Sequence, residues 1–437
     1  MYKKLILLYL FLGSFCLPAQ TFDKTKLDNY FNALETHDKY MGSVAISQNG
    51  KVVYTRSLGF ASVEDGIKAS EKTKYRIGSI SKTFTTVLVF KAIEEKKLDL
   101  SHTIASYFPT VKHAEKITIS NLLNHRSGIH SFTGDAHYLE WNTQPQTEQQ
   151  LLEIITKGGS DFEPDTKAEY SNSNFVLLSF ILEKVYKKSY ATLLNEKIIK
   201  PLQLKDTYMG GKNNLKNNES HSYSFMGKWE KESETDMSIP LGAGAIVSTP
   251  ADLTRFMDAL FDGKLLSKAN LEQMKTIKDD YGMGLFLMPY GENQGFGHTG
   301  GIDGFSSMVL HFPEDKVTLA MTSNGKNYSG SIGVAIMSIF YGDPFEIPDF
   351  KGYDISSADL DQFLGVYASP QIPLKITITK NDKTLMAQAT GQSAFPMEAT
   401  AANAFKFDPA GIVIEFDAAN KQLTLKQGGA TFLFTRE

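Results

Sequence analysis

The stretch Tyr75-Arg76-Ile77-Gly78-Ser79-Ile80-Ser81-Lys82-Thr83-Phe84 constrains this chain more than any other. It runs straight into Thr85 to Ile93, a segment that is apolar nearly all round (Val87, Leu88, Val89, Phe90). A helix with no polar face must be buried on every side, so other elements have to be built around it. Ser79 then stands at the N-terminal mouth of a core helix, where free backbone N–H groups and the positive end of the dipole gather. Lys82 lies three residues on, on the same helical face. A serine with an amine one turn away is a way to make an alcohol nucleophilic. The same pair also suits a plain helix cap, so the remaining segments decide between the two.

The flanking segments read as a sheet covered by helices. Lys24 to Glu35 carries Leu27, Tyr30, Phe31 and Leu34 at helical spacing. Strands are predicted at Ser43 to Ser47 and Lys51 to Leu58, joined by the hairpin signal Asn49-Gly50. Two more are predicted at Phe305 to Phe312 and Lys316 to Ser323, turning at Pro313-Glu314-Asp315. Their imperfect alternation suits central antiparallel strands covered on both faces. Ile117 to Ile129 reads as a short helix stopped by Gly128, with His125 as a structural histidine. Gly134 to Pro164 is polar and poor in strand signals, which fits a helical or loop-rich subdomain. Thr249-Pro250 opens a further helix to about Leu260, and Gly242-Ala243-Gly244-Ala245 before it suits close backbone packing.

Beyond Pro348 to Ser357 the period changes to two. Leu374, Ile376 and Ile378, then Phe405 and Phe407, Leu423 and Leu425, and Phe432 and Phe434 alternate between turn residues. Short strands at such spacing predict a small antiparallel barrel. The fold class expected is α/β (α+β): an antiparallel sheet flanked by helices, an all-helical subdomain, and a C-terminal β-barrel. The expected division is residues 20–347 for the first unit and 356–437 for the barrel.

Residues 1–19 have the three-part plan of a secretory signal peptide: Lys3 and Lys4, the apolar run Leu5 to Phe15, and Leu17-Pro18-Ala19. Export with cleavage near Ala19 is expected. Lipidation of Cys16 is the rival reading, opposed by the bulky Phe15 before it. Cys16 is the single cysteine, so the mature chain would hold together by packing alone. The formal net charge of −4 and the lack of a basic run argue against nucleic acid as a partner. Nothing in the chain fixes an oligomeric state.

Three short motifs stand in order: Ser79-Ile80-Ser81-Lys82, Tyr170-Ser171-Asn172 ahead of an apolar helix, and His298-Thr299-Gly300 beside a strand edge. Together they resemble the serine β-lactamase and penicillin-binding-protein superfamily, in its class C β-lactamase, D-alanyl-D-alanine carboxypeptidase and esterase branch. The resemblance covers about residues 24 to 345. The C-terminal piece looks like the lipocalin-like domain often appended there. The resemblance implies an acyl-enzyme on Ser79, with Lys82 as its proton partner and Tyr170 as shared base and shuttle. It implies Asn172, His298, Thr299 and Gly300 as substrate-binding residues, the backbone N–H groups of Ser79 and Gly301 as an oxyanion hole, and neither metal nor cofactor. Lys82 and Tyr170 cannot both be the base, and the sequence does not choose. His298 stands where classical members carry lysine, so a substrate carboxylate would be held less firmly. The expected function is hydrolysis of a peptide-like or cell-wall-derived amide or ester, with cell-wall association. The alternatives are a carboxylesterase on small acyl esters and a non-catalytic peptidoglycan- or β-lactam-binding module.

Overall fold

The structure is a computed structural model that describes residues 22–225, 228–325, 330–350, 352–392, 394–407 and 410–437. The expected signal segment and Cys16 fall outside these residues. Six antiparallel strands form the central sheet, in the order Phe286–Leu287, Phe296–Ile302, Phe305–Phe312, Val317–Ser323, Gly42–Gln48 and Lys51–Leu58. The predicted hairpin is present. Asn49 and Gly50 both take positive φ (52° and 73°), the backbone that matches a two-residue turn to strand twist.

Every residue of Val317–Ser323 is buried, as two covered faces require. Val317, Leu319 and Met321 pack on one side with Leu27, Phe31 and Leu34 of the Lys24–Thr36 helix and with Ile336 of the Gly330–Tyr341 helix. Ala320 faces the other side, where Leu253 and Phe256 of the Pro250–Phe261 helix belong to the main core. That helix is capped by Thr249, whose hydroxyl accepts from the Asp252 N–H, with Pro250 in its first turn.

The Ser81–Glu94 helix runs through the main core with Val87, Leu88, Val89 and Phe90 at zero exposure. Phe84 stacks on Phe256 with ring centroids 3.7 Å apart. Burying four such side chains fully is worth roughly 1.5–3 kcal/mol each, which fixes this helix against the sheet. One boundary differs from expectation. The predicted Ile117–Ile129 helix spans only Ile119–Leu123, capped by Thr118 in a reciprocal box with Asn121. Gly128 (φ 77°) lies in the following loop, and His125 itself takes positive φ (59°), because its ring is drawn into the interior of the site.

Gly365–Ala368 through Ala430–Arg436 form eight antiparallel strands that close into a barrel. Its interior holds Ile376, Ile378, Phe405, Leu423, Leu425 and Phe434, the residues the period of two picks out. Closure leaves no sheet edge to cover, so a unit this small needs no further layer.

Candidate active site

Ser79 sits in a single turn of 3-10 helix, Gly78–Ile80, directly ahead of the Ser81–Glu94 helix. Main-chain contacts pin that turn. The Ile77 N–H donates to the Ile246 carbonyl at 3.0 Å, and the Ser307 hydroxyl donates to the Ile77 carbonyl at 2.8 Å. The strand carrying the third motif, Phe296–Ile302, passes close by. A Cβ on Gly300 would lie 2.0 Å from the Ile77 carbonyl oxygen, and one on Gly78 would lie 2.7 Å from the Gly301 nitrogen. Two glycines are therefore what lets the Ser79 turn and the strand touch backbone to backbone. This approach sets the Gly301 amide beside the turn that carries the Ser79 amide.

Lys82 is fully buried. Its Nζ lies 3.0 Å from Ser79 Oγ, 2.7 Å from Asn172 Oδ1 and 2.8 Å from the Ala243 carbonyl oxygen. Burial holds its pKa well below the ordinary lysine value. The three partners could take the three N–H bonds of an ammonium, and the lowered pKa favours the neutral amine instead. Asn172 Oδ1 and the Ala243 carbonyl can only accept, which uses its two N–H bonds. The remaining lone pair faces a hydroxyl that can donate.

Tyr170 comes from the loop before the Asn172–Tyr186 helix. Its phenol has Ser79 as a hydrogen-bonding neighbour, and Lys82 Nζ lies 4.8 Å from its ring centroid. Burial pushes the phenol pKa up, with the nearby Tyr281 adding to the rise, so the group stays protonated at neutral pH. Asn172 is oriented by Thr133 Oγ1, which accepts from its Nδ2 at 2.8 Å, and by Ser131 Oγ, which accepts from its backbone N–H at 3.0 Å.

His298, Thr299 and Gly300 lie on the strand with the alternation of a pleated backbone: His298 is buried, whereas Thr299 and Gly301 are exposed. The imidazole packs against Phe286 (4.6 Å between centroids) and Tyr170 (6.4 Å). Burial pushes its pKa down to about 3. It is neutral across the physiological range and adds no cation to the site.

All three motifs thus converge on one place, although they are separated by about ninety and then by more than a hundred residues of chain. Sequence reasoning missed four supporting groups. Ala243 acts through its carbonyl, and Ser131 and Thr133 are ordinary loop residues by composition. His125 packs against Tyr170 with ring centroids 4.4 Å apart, and its Nδ1 accepts from the Ser171 N–H at 3.2 Å. Only His125 gave any signal, and that signal read simply as structural.

Comparison with known proteins identifies the family. The Beta-lactamase family profile matches residues 28–337. The chain is 25% identical to Penicillin-binding protein 4* of Bacillus subtilis (strain 168), over 92% of its own length and 96% of that protein. It is 26% identical to the teichoic acid D-alanine hydrolase of Staphylococcus aureus (strain MRSA252), over 69% of this chain and 74% of that one. The solved D-stereospecific amidohydrolase from Streptomyces sp. superposes with a TM-score of 0.64 at 30% identity, covering 72% of this chain and 99% of its own. The chain belongs to the β-lactamase family, as a serine hydrolase acting on amides or esters that carries an eight-stranded barrel behind its catalytic fold.

Proposed function

We propose that this protein is an exported hydrolase that cleaves D-aminoacyl amides or esters of cell-wall origin through an acyl-enzyme on Ser79. The observation that carries the reading is the buried Lys82 amine, 3.0 Å from Ser79 Oγ and held by two groups that can only accept. Lys82 takes the hydroxyl proton as Ser79 attacks the carbonyl carbon. The developing oxyanion is received by the Ser79 and Gly301 amides, a pair of fixed donors of which each is typically worth about 3 kcal/mol of barrier. Tyr170, kept protonated by burial, gives its proton to the leaving amine or alcohol and regains one through Lys82. Water then attacks the acyl-enzyme with the same groups in reverse. Asn172 orients Lys82, Thr299 faces out on the substrate's side of the strand, and Gly300 lets the strand approach the Ser79 turn.

The D-configuration and the cell-wall source rest on the names of two relatives, the teichoic acid D-alanine hydrolase and the D-stereospecific amidohydrolase. The neutral, buried His298 favours substrates without a free carboxylate next to the scissile bond. That ranks an aminoacyl amidase or esterase ahead of a strict carboxypeptidase. Export rests on the plan of residues 1–19, and among the described residues no helix is long and apolar enough to cross a membrane.

D-alanine p-nitroanilide is expected to be hydrolysed at least about tenfold faster than its L-enantiomer, the discrimination of a shaped pocket. Equal rates on both would remove the stereochemical part of the reading. The pH profile has a definite sign. Lys82 must be neutral to act, so kcat/KM falls on the acid side as the amine gains a proton. The rate then stays level well into the alkaline range, because the Tyr170 phenol is pushed up. His298→Gln is expected to leave the acid limb where it is, because an imidazole pushed down to about 3 does not titrate there. Loss of the limb in that variant would make the imidazole, not the amine, the titrating base.

A further inference from the structure

Tyr281 stands where the segment ahead of the third motif meets the loop that carries Tyr170. Its half-buried ring lies 6.3 Å from the Tyr170 ring and 5.1 Å from His125, centroid to centroid. The Tyr281 phenol has the Tyr170 main chain as a hydrogen-bonding neighbour. The same ring packs 5.6 Å from Phe286, which lies against His298.

Two anchors hold Tyr281, one before it in the chain and one after. Two residues before it, Asp279 accepts from the Arg126 guanidinium. That guanidinium is only 4% exposed, and it also donates to the carboxylate and the main-chain carbonyl of Asp165, in the loop that leads to Tyr170. Backbone bonds lace the same loop to the His125 segment: the Asp165 N–H to the Arg126 carbonyl at 2.8 Å, and the Glu169 N–H to the His125 carbonyl at 2.9 Å. Arg126 therefore ties together the three segments that carry His125, Tyr170 and Tyr281. Asp279 and Asp280 both take positive φ (50° and 70°), the backbone of a tight reversal. Lys278 and Tyr281 close that reversal with mutual main-chain bonds at 3.0 and 3.2 Å. Three residues after Tyr281, the Gly284 carbonyl accepts from the hydroxyl of Thr83, the neighbour of Lys82, at 2.8 Å. A Cβ on Gly284 would lie 2.2 Å from Thr86 Oγ1, so glycine is what permits this contact with the helix. The ring is thus fixed relative to the segments of both Tyr170 and Lys82.

We propose that Tyr281 is a positioning residue that holds the Tyr170 phenol at Ser79, so that its proton reaches the leaving group. This rests on the hydrolase reading above, with Tyr170 as the proton donor, and adds the group that aims it. As the tetrahedral adduct collapses, the bond from carbon to the leaving group breaks and the Tyr170 proton passes to the departing nitrogen or oxygen. Tyr170 then recovers a proton from Lys82. Such a transfer needs the donor within hydrogen-bond reach of the departing atom, and a displacement of about 1 Å can cost on the order of 100-fold.

The test compares D-alanine p-nitroanilide with D-alanine p-nitrophenyl ester on the full chain. The two share an acyl group, but p-nitroaniline leaves only with a proton on its nitrogen, whereas p-nitrophenolate leaves without one. Misplacing the proton donor therefore lowers kcat/KM on the anilide selectively, and a merely structural defect lowers both together. Tyr281→Leu is expected to lose at least about tenfold on the anilide and to stay within about twofold of native on the ester. Asp279→Asn, at an exposed position, leaves the ring in place and removes the charge that Arg126 holds. It is expected to lose about threefold on the anilide with the ester rate unchanged, and it keeps the test decisive if Tyr281→Leu does not fold. Equal losses on both substrates, or no loss on either, in the folded variants overturns the proposal. Tyr170→Phe tests the reading beneath it, with an anilide-selective loss of at least about 100-fold expected. Without that selectivity in Tyr170→Phe, the proton-donor reading falls and the positioning role goes with it. With it in Tyr170→Phe but in neither other variant, the positioning role alone falls.

Discussion

Ser79→Ala is expected to lower kcat for ester and amide substrates by at least about 10⁴-fold, the scale on which removing one member of a nucleophile–base pair acts. The same change is expected to leave the fold intact. The hydroxyl caps nothing in the helix that follows, since neither the Gly78–Ile80 turn nor the Ser81–Glu94 helix has a side-chain cap bond. Its close partners are Lys82 and Tyr170, the groups the proposed reaction uses. Intact-protein mass after fluorophosphonate treatment gives an independent reading: one adduct on the native protein, mapped to the Ser79 peptide, and none on the variant. Turnover by the variant within tenfold of the native rate would take Ser79 out of the mechanism.

The second large effect is on stability. Arg76 has a side chain only 1% exposed, and its donors are all engaged. Nε donates to Asn213 Oδ1 at 3.1 Å. One terminal nitrogen donates to the Thr235 carbonyl at 2.9 Å and Asp303 Oδ2 at 2.7 Å, and the other to the Gly211 carbonyl at 2.8 Å and Glu234 Oε2 at 3.2 Å. Arg76→Met keeps most of the apolar stem but strands the Asp303 carboxylate, which is 2% exposed, without its cation. Breaking a buried pair in this way costs about 3–5 kcal/mol. Chemical denaturation followed by tryptophan fluorescence is expected to show that loss. Activity should fall with it, because Asp303 anchors the turn just past Gly301. A loss under about 1 kcal/mol, the level of an exposed pair, would mean that this guanidinium is not what ties the turn down.

Much of this arrangement is legible from residues alone, for identifiable reasons. The buried helix after Ser79 and the alternation that marks the barrel are local patterns with one physical reading each. The Asn49-Gly50 hairpin is written in two residues whose backbone preference is strong. What the sequence withholds is contributed by main chain or set by distant contacts. The Ala243 carbonyl sits in a run of small residues that reads only as tight packing. Gly128 looks like a helix stop, yet the helix ends five residues earlier, because His125 turns inward to support Tyr170. His298 is another such case. Its type suggests a recognition group, but its place on the pleat buries it and leaves Thr299 facing out.

The central sheet also sets a schedule for biosynthesis. Gly42–Gln48 lies between Lys51–Leu58 and Val317–Ser323, and Tyr40 donates its phenol hydrogen to the Thr322 carbonyl across 282 residues of chain. At about 5–20 residues per second, a ribosome needs roughly 15–55 s to deliver the later strand after the earlier one has emerged. Throughout that interval the early strand has one flank open and the sheet cannot lock. A nascent polypeptide that stays pliable until three quarters of it has been made is one that a translocation channel can still thread.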